Sequence, residues 1–265
     1  MKISVITVCF NSAATVGDTI KSFLAQQHKD AEMVVVDGAS TDRTVQIVES
    51  FCDPRIRVLS EPDSGIYDAM NKGLQLVTGD AVGILNSDDT YHDPFALSRI
   101  ASALELADIV YGDLFCVRSH ISKEVVRIWK PGKFTKHSYK LGWMPPHPTF
   151  YVRRKVVDRV GDFDCSYKIA SDYDFMLRAM SLHGFSSLYI PHTLVDFLVG
   201  GLSTSSWHNS LIINMETLRA RQAHLNSRGL DIATFLRPAR RLFQLGLPAF
   251  NRVFGRPHQR AIMSR

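Results

Sequence analysis

Two adjacent aspartates, Asp88 and Asp89, follow a run of apolar residues that reads Ala-Val-Gly-Ile-Leu. Such a run is typical of a buried strand, and it would deliver both carboxylates to the turn at the end of that strand. Carboxylate oxygens are the ligands that hard divalent cations prefer, so the pair could bind Mg²⁺ or Mn²⁺. Taken alone, an acid pair at such a place is more often a solvated turn or a helix cap.

Polar residues also end three other apolar runs that are typical of strands. They are Asn11, Asp37, Glu61 and Asp63, at the ends of the runs at 3–9, 33–37 and 56–60. Because the carboxyl ends of parallel strands meet at one edge of a sheet, we expect these side chains to lie near Asp88. Carboxylates that converge repel each other unless a cation or ligand donors lie among them. The sequence therefore favours a metal-bridged diphosphate at this edge.

The elements that must position these residues alternate in type through the first half of the chain. Strands at 3–9, 33–37, 56–60 and 81–85 are β-branched and apolar, as strands buried on both faces should be. Amphipathic helices separate them, which predicts an α/β fold with a mostly parallel, Rossmann-like sheet. Beyond Ile109 the pattern is mixed. It predicts strands at 109–116 and 125–129, helices near 154–160 and 173–183, and a longer helix from 205 to about 228.

Composition excludes several classes of protein. The four cysteines are scattered without a C-x-x-C pair, so the sequence indicates neither a zinc cage nor a disulfide framework and predicts a reducing, cytoplasmic compartment. No apolar stretch approaches the roughly 20 residues of a membrane-spanning helix. The net charge of +5 arises from seven arginines after Asp231, in a tail that contains no acid. The remaining sequence is mildly acidic, so we expect no nucleic-acid partner.

Five motifs make the sequence resemble the family-2 glycosyltransferases, in particular bacterial members that build exopolysaccharides. They are Ser-Val-Ile-Thr-Val-Cys-Phe-Asn at 4–11, Val-Asp-Gly-Ala-Ser-Thr-Asp at 36–42, Glu-Pro-Asp-Ser-Gly-Ile-Tyr-Asp-Ala-Met-Asn-Lys-Gly at 61–73, Leu-Asn-Ser-Asp-Asp at 85–89 and Ala-Ser-Asp-Tyr-Asp at 170–174. The resemblance runs from Ile3 to about Ser206. It implies a GT-A fold, an inverting transfer, and a nucleotide-sugar donor held by Mn²⁺ or Mg²⁺.

The same resemblance implies a division of the chain. The catalytic domain would span 1–206, with a nucleotide-binding half at 1–113 and an acceptor half at 114–206. A helical basic extension would follow over 207–265. We expect one transfer per encounter, because no Gln-x-x-Arg-Trp element of processive synthases is present.

Roles for individual residues follow from their match to the family motifs. Asp37 would read the N–H edge of the base, which suggests a UDP-sugar, and Asp88 would bind the metal. Asn86 and Gly38 stand where the family often has aspartates, so a ribose hydrogen bond remains possible at Asn86 and one nucleotide contact is in question at Gly38. The expected nucleotide-binding residues are Thr7, Val8, Asn11, Asp37, Asn71, Asn86 and Ser87, and the expected metal ligands are Asp88 and Asp89.

Asp172 corresponds to the general base of the family, although Ser171 replaces the usual glutamate before it. Residues two apart on a helix point about 200° apart, so Asp172 and Asp174 cannot both face a cleft. Asp172 lies closer to the helix N-terminus, where the helix dipole favours an ionised carboxylate. Without the resemblance, a simple N-cap would be the preferred interpretation of Asp172.

Three further residues are candidates for the acceptor or diphosphate side. His147 resembles a polar acceptor-side position, Gly201 lies in a segment that could close on the diphosphate, and His208 could approach the metal. Each has an ordinary alternative as a constrained loop histidine, a turn glycine and a helix-surface histidine, respectively.

The tail and the rival functions complete the expectations. Apolar residues alternate with arginines after Asp231, so the tail could bind an anionic membrane surface and serve a lipid-linked saccharide acceptor, or it could pack on the protein.

A nucleotidyltransferase would need a Gly-rich basic loop after the first strand, and a nicotinamide enzyme would need a glycine fingerprint. Neither is present. A catalytically inactive sugar-nucleotide-binding protein remains the alternative.

Overall fold

The computed structural model describes residues 1–200, 207–225, 231–234 and 236, with no side-chain description for 207 and 208. Its first half contains four parallel strands that pair in the order β3, β2, β1, β4. Their bounds are β1 (Ile3–Cys9), β2 (Ala31–Asp37), β3 (Ile56–Ser60) and β4 (Ala81–Ile84). The predicted parallel sheet is confirmed, and the acids and amides that follow these strands share its carboxyl edge.

Helices cover both faces of this sheet. They are α1 (Val16–Leu24), α2 (Thr44–Glu49), α3 (Ile66–Leu76) and α4 (Ala96–Leu104). Alternate residues of β1 enter two separate apolar clusters, because successive strand side chains point to opposite faces: Ile6 and Val8 enter one cluster, and Ile3 and Val5 the other. A Cβ added at Gly73 of α3 would lie 2.5 Å from a methyl group of Ile6, so this glycine allows close packing of helix on strand.

The predicted burial of the third strand is wrong. Residues of β3 are exposed or half-buried, whereas β1 and β2 are buried throughout. The reason is position, because β3 is the edge strand of the sheet and pairs only with β2 among the described strands.

The second half extends the same sheet with mixed pairing. It contributes β5 (Thr90–Tyr91), β6 (Ile109–Val117), β7 (Val125–Trp129), β8 (Tyr151–Arg153) and β9 (Ser187–Leu198), with helices α5 (Arg154–Val160), α6 (Ser171–Ser181) and α7 (Trp207–Leu225). β8 joins β4 antiparallel, and β6 pairs with β9 in parallel. Sequence patterns did not predict β8 or β9. The predicted helix at 173–183 begins two residues earlier, so Asp172 lies in its first turn.

Two features of the C-terminal part bear on the expectations. α7 packs against α6, and Ala220 of α7 belongs to the apolar cluster that α6 helps to form. Among the described residues, no helix has the length and apolarity required to cross a bilayer. Gly201 and the arginine-rich tail lie outside the described residues.

Candidate active site

The loop after β2 is held by a buried carboxylate. Both oxygens of Asp37 are in hydrogen bonds: Ser40 donates from its backbone N–H at 2.9 Å and also from its hydroxyl, and Ser60 donates from its hydroxyl at 2.7 Å. The Cys9 thiol adds a longer contact of 3.6 Å. Burial alone would raise the pKa of Asp37, but these donors lower it below its ordinary value. An ionised Asp37 therefore orders the loop, and a base could bond it only by displacing a donor.

Asn11 ties the end of β1 to the same loop. Its backbone adopts a positive φ of 50°, and its side-chain oxygen accepts from the backbone N–H of Thr41 at 2.9 Å. Its own N–H donates to the hydroxyl of Ser40 at 2.8 Å. Thr7 and Val8 lie further back in β1 and are buried. The Thr7 hydroxyl has no hydrogen-bond partner among the described residues.

Two side chains at this edge were not in the predicted set. Phe10 is 63% exposed at the end of β1 and presents a flat aromatic face. The carboxylate of Asp63 fills the space beside Gly38, since a Cβ at Gly38 would lie 2.4 Å from Asp63 Oδ2 and 3.5 Å from the Phe10 ring. Asp63 thus places an acid where a side chain at 38 would otherwise stand. The sequence showed an acid after the third strand, but it did not show that the Asp63 carboxylate would occupy the space beside Gly38.

The segment after β4 alternates between accessible and buried residues. Asn86 and Asp88 are half-buried, whereas Ser87 and Asp89 are buried. The Ser87 hydroxyl bonds that of Ser12 at 2.9 Å, which links this segment to the end of β1. Asp89 is fully buried, with one oxygen 3.3 Å from the backbone N–H of Leu198. Asp88 is thus the acid of the pair that solvent or a ligand reaches more easily.

Electrostatics at this segment fit a cation. Burial raises the pKa of Asp88, and burial followed by the charge of Asp88 raises that of Asp89 well above its ordinary value. Asp89 Oδ2 and Asn86 Oδ1 are buried without a hydrogen-bond partner in the described part of the chain. Within that part, no cluster of three or more His, Cys, Asp or Glu residues could enclose a metal. The oxygen ligands therefore suit a hard cation whose remaining ligands come from phosphates, as Mg²⁺ sites often do.

A histidine from the second half bonds the turn that carries Asp88, the candidate metal ligand. His120 Nε2 lies 2.7 Å from the backbone carbonyl oxygen of Asp88, and its Nδ1 lies 3.2 Å from the Thr90 hydroxyl. Nε2 must donate the first hydrogen bond, because a carbonyl oxygen only accepts. No local pattern in the sequence identified this residue, which is a single histidine in the connection between β6 and β7.

The structure separates the two acids at the start of α6. Asp174 is buried, with Arg178 Nε at 2.8 Å and His224 Nε2 at 2.9 Å from its carboxylate. Asp172 is half-buried and forms no ion pair with the described residues. Its Oδ1 accepts only the neighbouring N–H of Tyr173, at 2.7 Å. Asp174 is thus a structural ion-pair partner, whereas the second carboxylate oxygen of Asp172 has no hydrogen bond to any residue that the structure describes.

Two residues from distant segments surround Asp172. Burial raises the pKa of the Tyr67 hydroxyl, and the Asp172 charge raises it further. Burial lowers the pKa of His147, while the same carboxylate opposes that shift. Because Tyr67 lies in the first turn of α3, after β3, it links Asp172 to the carboxyl edge of the sheet. His147 therefore lies within electrostatic reach of Asp172.

Asn71 and His208 complete the predicted set. The Asn71 amide donates to the Phe163 carbonyl oxygen and accepts from the Phe163 N–H, both at 2.9 Å, so it joins α3 to the loop before α6. In this arrangement the Asn71 amide holds the loop between α5 and α6. His208 lies in α7, and its side chain is outside the described residues.

Comparison with known proteins relates this chain to glycosyltransferases. The sequence profile described as glycosyl transferase family 2 matches residues 4–167. A PGL/p-HBAD biosynthesis glycosyltransferase of Mycobacterium bovis is 29% identical over 209 residues, which cover 76% of this chain and 79% of the relative. An uncharacterized glycosyltransferase of Mycobacterium tuberculosis is 32% identical over 180 residues, which cover 67% and 68%.

Solved structures are similar in fold at low sequence identity. The 1–349 segment of S. aureus TarS has a TM-score of 0.62 at 20% identity, over 96% of this chain and 82% of that segment. The mannosyltransferase PcManGT from Pyrobaculum calidifontis has a TM-score of 0.64 at 19% identity, over 97% of this chain and 76% of PcManGT. The fold is therefore of the GT-A type. The profile spans more than half of the chain and a relative above 30% identity is covered over two thirds of its length, so this chain belongs to glycosyltransferase family 2 and is a glycosyltransferase.

Proposed function

We propose that the protein is an inverting, metal-dependent enzyme that transfers a sugar from a nucleotide diphosphate donor to an acceptor hydroxyl. The observation that carries the proposal is the contrast between two acids, Asp172 and Asp174. Asp174 pairs with Arg178 and His224, while one oxygen of Asp172 has no hydrogen-bond partner in the described part of the chain and the Asp172 charge acts on Tyr67 and His147. A positioned carboxylate of this kind can take the proton of a hydroxyl as it attacks the anomeric carbon.

Donor binding is assigned to the carboxyl edge of the parallel strands. Phe10 offers an aromatic face on which a base can stack, and Asp63 offers a carboxylate next to Gly38 for its polar edge. Asn11 and Asp37 hold the loop that forms this surface, and Asn86 is the proposed partner of a ribose hydroxyl. We propose a UDP-sugar as donor. S. aureus TarS has been solved with UDP-GlcNAc and PcManGT with GDP-Man and Mn²⁺, which supports a nucleotide sugar.

Asp88 is the proposed ligand of Mn²⁺ or Mg²⁺, and the more deeply buried Asp89 is the proposed second ligand. When bound there, the ion would neutralise the charge that develops on the leaving diphosphate. The chain itself contributes the largely buried carboxylate of Asp88, together with one oxygen each of Asp89 and Asn86 that has no hydrogen-bond partner among the described residues. His120 keeps the turn in place by its bond to the Asp88 carbonyl oxygen.

The acceptor is proposed to be a saccharide or a lipid-linked saccharide in glycan biosynthesis. The named mycobacterial relative acts in PGL/p-HBAD biosynthesis, which supports a glycan or glycolipid acceptor. A peripheral position at the cytoplasmic face of a membrane remains a proposal that depends on the arginine-rich tail.

A donor panel tests the proposal directly. Release of nucleotide from UDP-GlcNAc, other UDP-sugars and GDP-mannose would be measured with Mn²⁺, with Mg²⁺ and with EDTA. We expect turnover of one donor class that EDTA abolishes, and ¹H NMR of the product should show an inverted anomeric configuration. Turnover that is unaffected by EDTA would contradict the metal assignment, and retained configuration would contradict the use of Asp172 as a base.

A further inference from the structure

The segment that leads into α6 is held by side chains from distant parts of the chain. The carboxylate of Glu216, in α7, accepts three consecutive backbone N–H groups. They belong to Lys168 at 2.7 Å, Ile169 at 3.0 Å and Ala170 at 2.9 Å. Hydrogen bonds to an ionised acceptor are roughly twice as strong as neutral ones. A single side chain thus fixes the backbone immediately before Ser171 and Asp172.

The next two N–H groups lie near a hydroxyl from another part of the chain. Burial raises the pKa of Tyr67, in the first turn of α3, and the nearby backbone N–H groups of Ser171 and Asp172 oppose that rise. The first N–H groups of a helix have no partner within the helix, so acceptors for them must come from elsewhere.

The local sequence does not supply a cap for this helix. The N-cap residue of α6 is Ala170, which has no side-chain hydrogen bond to offer, whereas Ser, Thr, Asp or Asn is usual at this position. Glu216, 46 residues further along the chain from Ala170, accepts the N–H of this N-cap residue and of the two residues before it, so it fixes the backbone that enters the helix. The orientation of Asp172, two residues into the helix from the cap, then depends on how α7 docks.

We infer that Glu216 is a positioning residue for Asp172, and that α7 is part of the catalytic apparatus. This inference rests on the proposed function, in which Asp172 takes the acceptor proton. Other α7 contacts hold the helix without touching the same backbone. Arg219 donates to the Ser166 hydroxyl at 2.8 Å and lies over the Tyr167 ring. The Arg219→Met variant is therefore a control that weakens docking but leaves the Glu216 contacts intact.

Hydrogen exchange tests the structural part without any substrate. In the full chain, Glu216→Gln retains one carbonyl oxygen but turns an NH₂ group toward N–H donors, so protection should be lost at 168–170. We expect amide exchange there to accelerate at least about tenfold, corresponding to about 1.4 kcal/mol of opening free energy. Arg219→Met should leave these three amides protected. Unchanged protection in Glu216→Gln would overturn the inference.

Kinetics test the catalytic part, using hydrolysis of the donor that the wild-type protein turns over. Glu216→Gln should lower kcat about 10- to 100-fold, the scale expected for a misplaced reacting group, while the Kd of the donor with Mn²⁺ stays unchanged. Adding Glu216→Gln to Asp172→Asn should cost little further rate, because a residue that acts through Asp172 loses its effect when the carboxylate is gone.

The outcomes separate the inference from the proposed function. An active wild-type protein whose kcat survives Glu216→Gln, or a double variant whose losses multiply, would overturn the inference alone. A wild-type protein that turns over no donor in the panel would overturn the proposed function, and with it the role of Glu216. Both would be supported if Glu216→Gln lowers kcat and the double variant loses little more rate than Asp172→Asn alone.

Discussion

The two acids of α6 should respond to the same substitution in opposite ways. Asp174→Asn removes the charge that the buried carboxylate shares with Arg178 and His224, at 2.8 and 2.9 Å. Removing one partner of a buried ion pair typically costs about 3–5 kcal/mol, because the remaining charge is left without compensation. At roughly 2–4 °C per kcal/mol for a chain of this size, Tm should fall by about 6–20 °C.

Asp172→Asn should instead change rate and leave stability nearly intact. Asp172 is half-buried and has no ion pair among the described residues, so the loss is limited to its favourable interaction with the helix N-terminus, about 0.3–1 kcal/mol. The rate of transfer should drop about 10²–10⁴-fold if the carboxylate is the base. The Kd of the donor should not change, since this residue takes no part in the proposed donor site.

Both variants should be measured by thermal unfolding, donor titration and turnover, with Asp158→Asn on the exposed side of α5 as the matched acid-to-amide control. The reasoning fails if Asp174→Asn keeps the wild-type Tm and loses activity, because the base would then be Asp174. It also fails if Asp172→Asn retains the wild-type rate.

Three further outcomes follow from the structure. Asp88→Ala should abolish the Mn²⁺-dependent part of donor affinity in calorimetry, and unchanged affinity in Mn²⁺ would remove this residue from the metal site. Gly38→Ala should displace Asp63 and weaken nucleotide binding about tenfold, or ~1.4 kcal/mol. The control Gly17→Ala, whose new Cβ would meet only an ordinary contact at 3.6 Å, should leave nucleotide binding unchanged. Burial alone would raise the pKa of Glu32, but hydrogen bonds, the largest from Ser4, lower it from 4.5 to about 2. The ionised Glu32 therefore stabilises the fold above about pH 4.5, and this contribution is lost as pH falls toward 2. In Glu32→Gln the free energy of unfolding should fall less over this pH range than in the wild-type protein.

Local patterns in the sequence determined much of the nucleotide-binding half. The strands β1, β3 and β4 were predicted to within one residue at each end, because a short β-branched run between turn residues needs no distant information to be identified. The convergence of Asn11, Asp37 and Asp88 at one edge followed from the parallel order alone. The burial of β3 was not predictable in this way, since the edge position depends on what pairs beside it.

The tertiary structure decided how each of these residues is used. Four donors saturate Asp37, Asn71 bonds Phe163 across 92 residues, and His120 clamps the turn of Asp88 from a separate loop. Glu216 fixes the backbone that enters α6, whose N-cap residue makes no side-chain hydrogen bond. Such contacts join residues far apart in the chain and leave no periodic or spacing signal. The sequence by itself therefore determined which groups meet at the carboxyl edge of the sheet. Only the tertiary structure decided which of their oxygens bond other parts of the chain and which a ligand can reach.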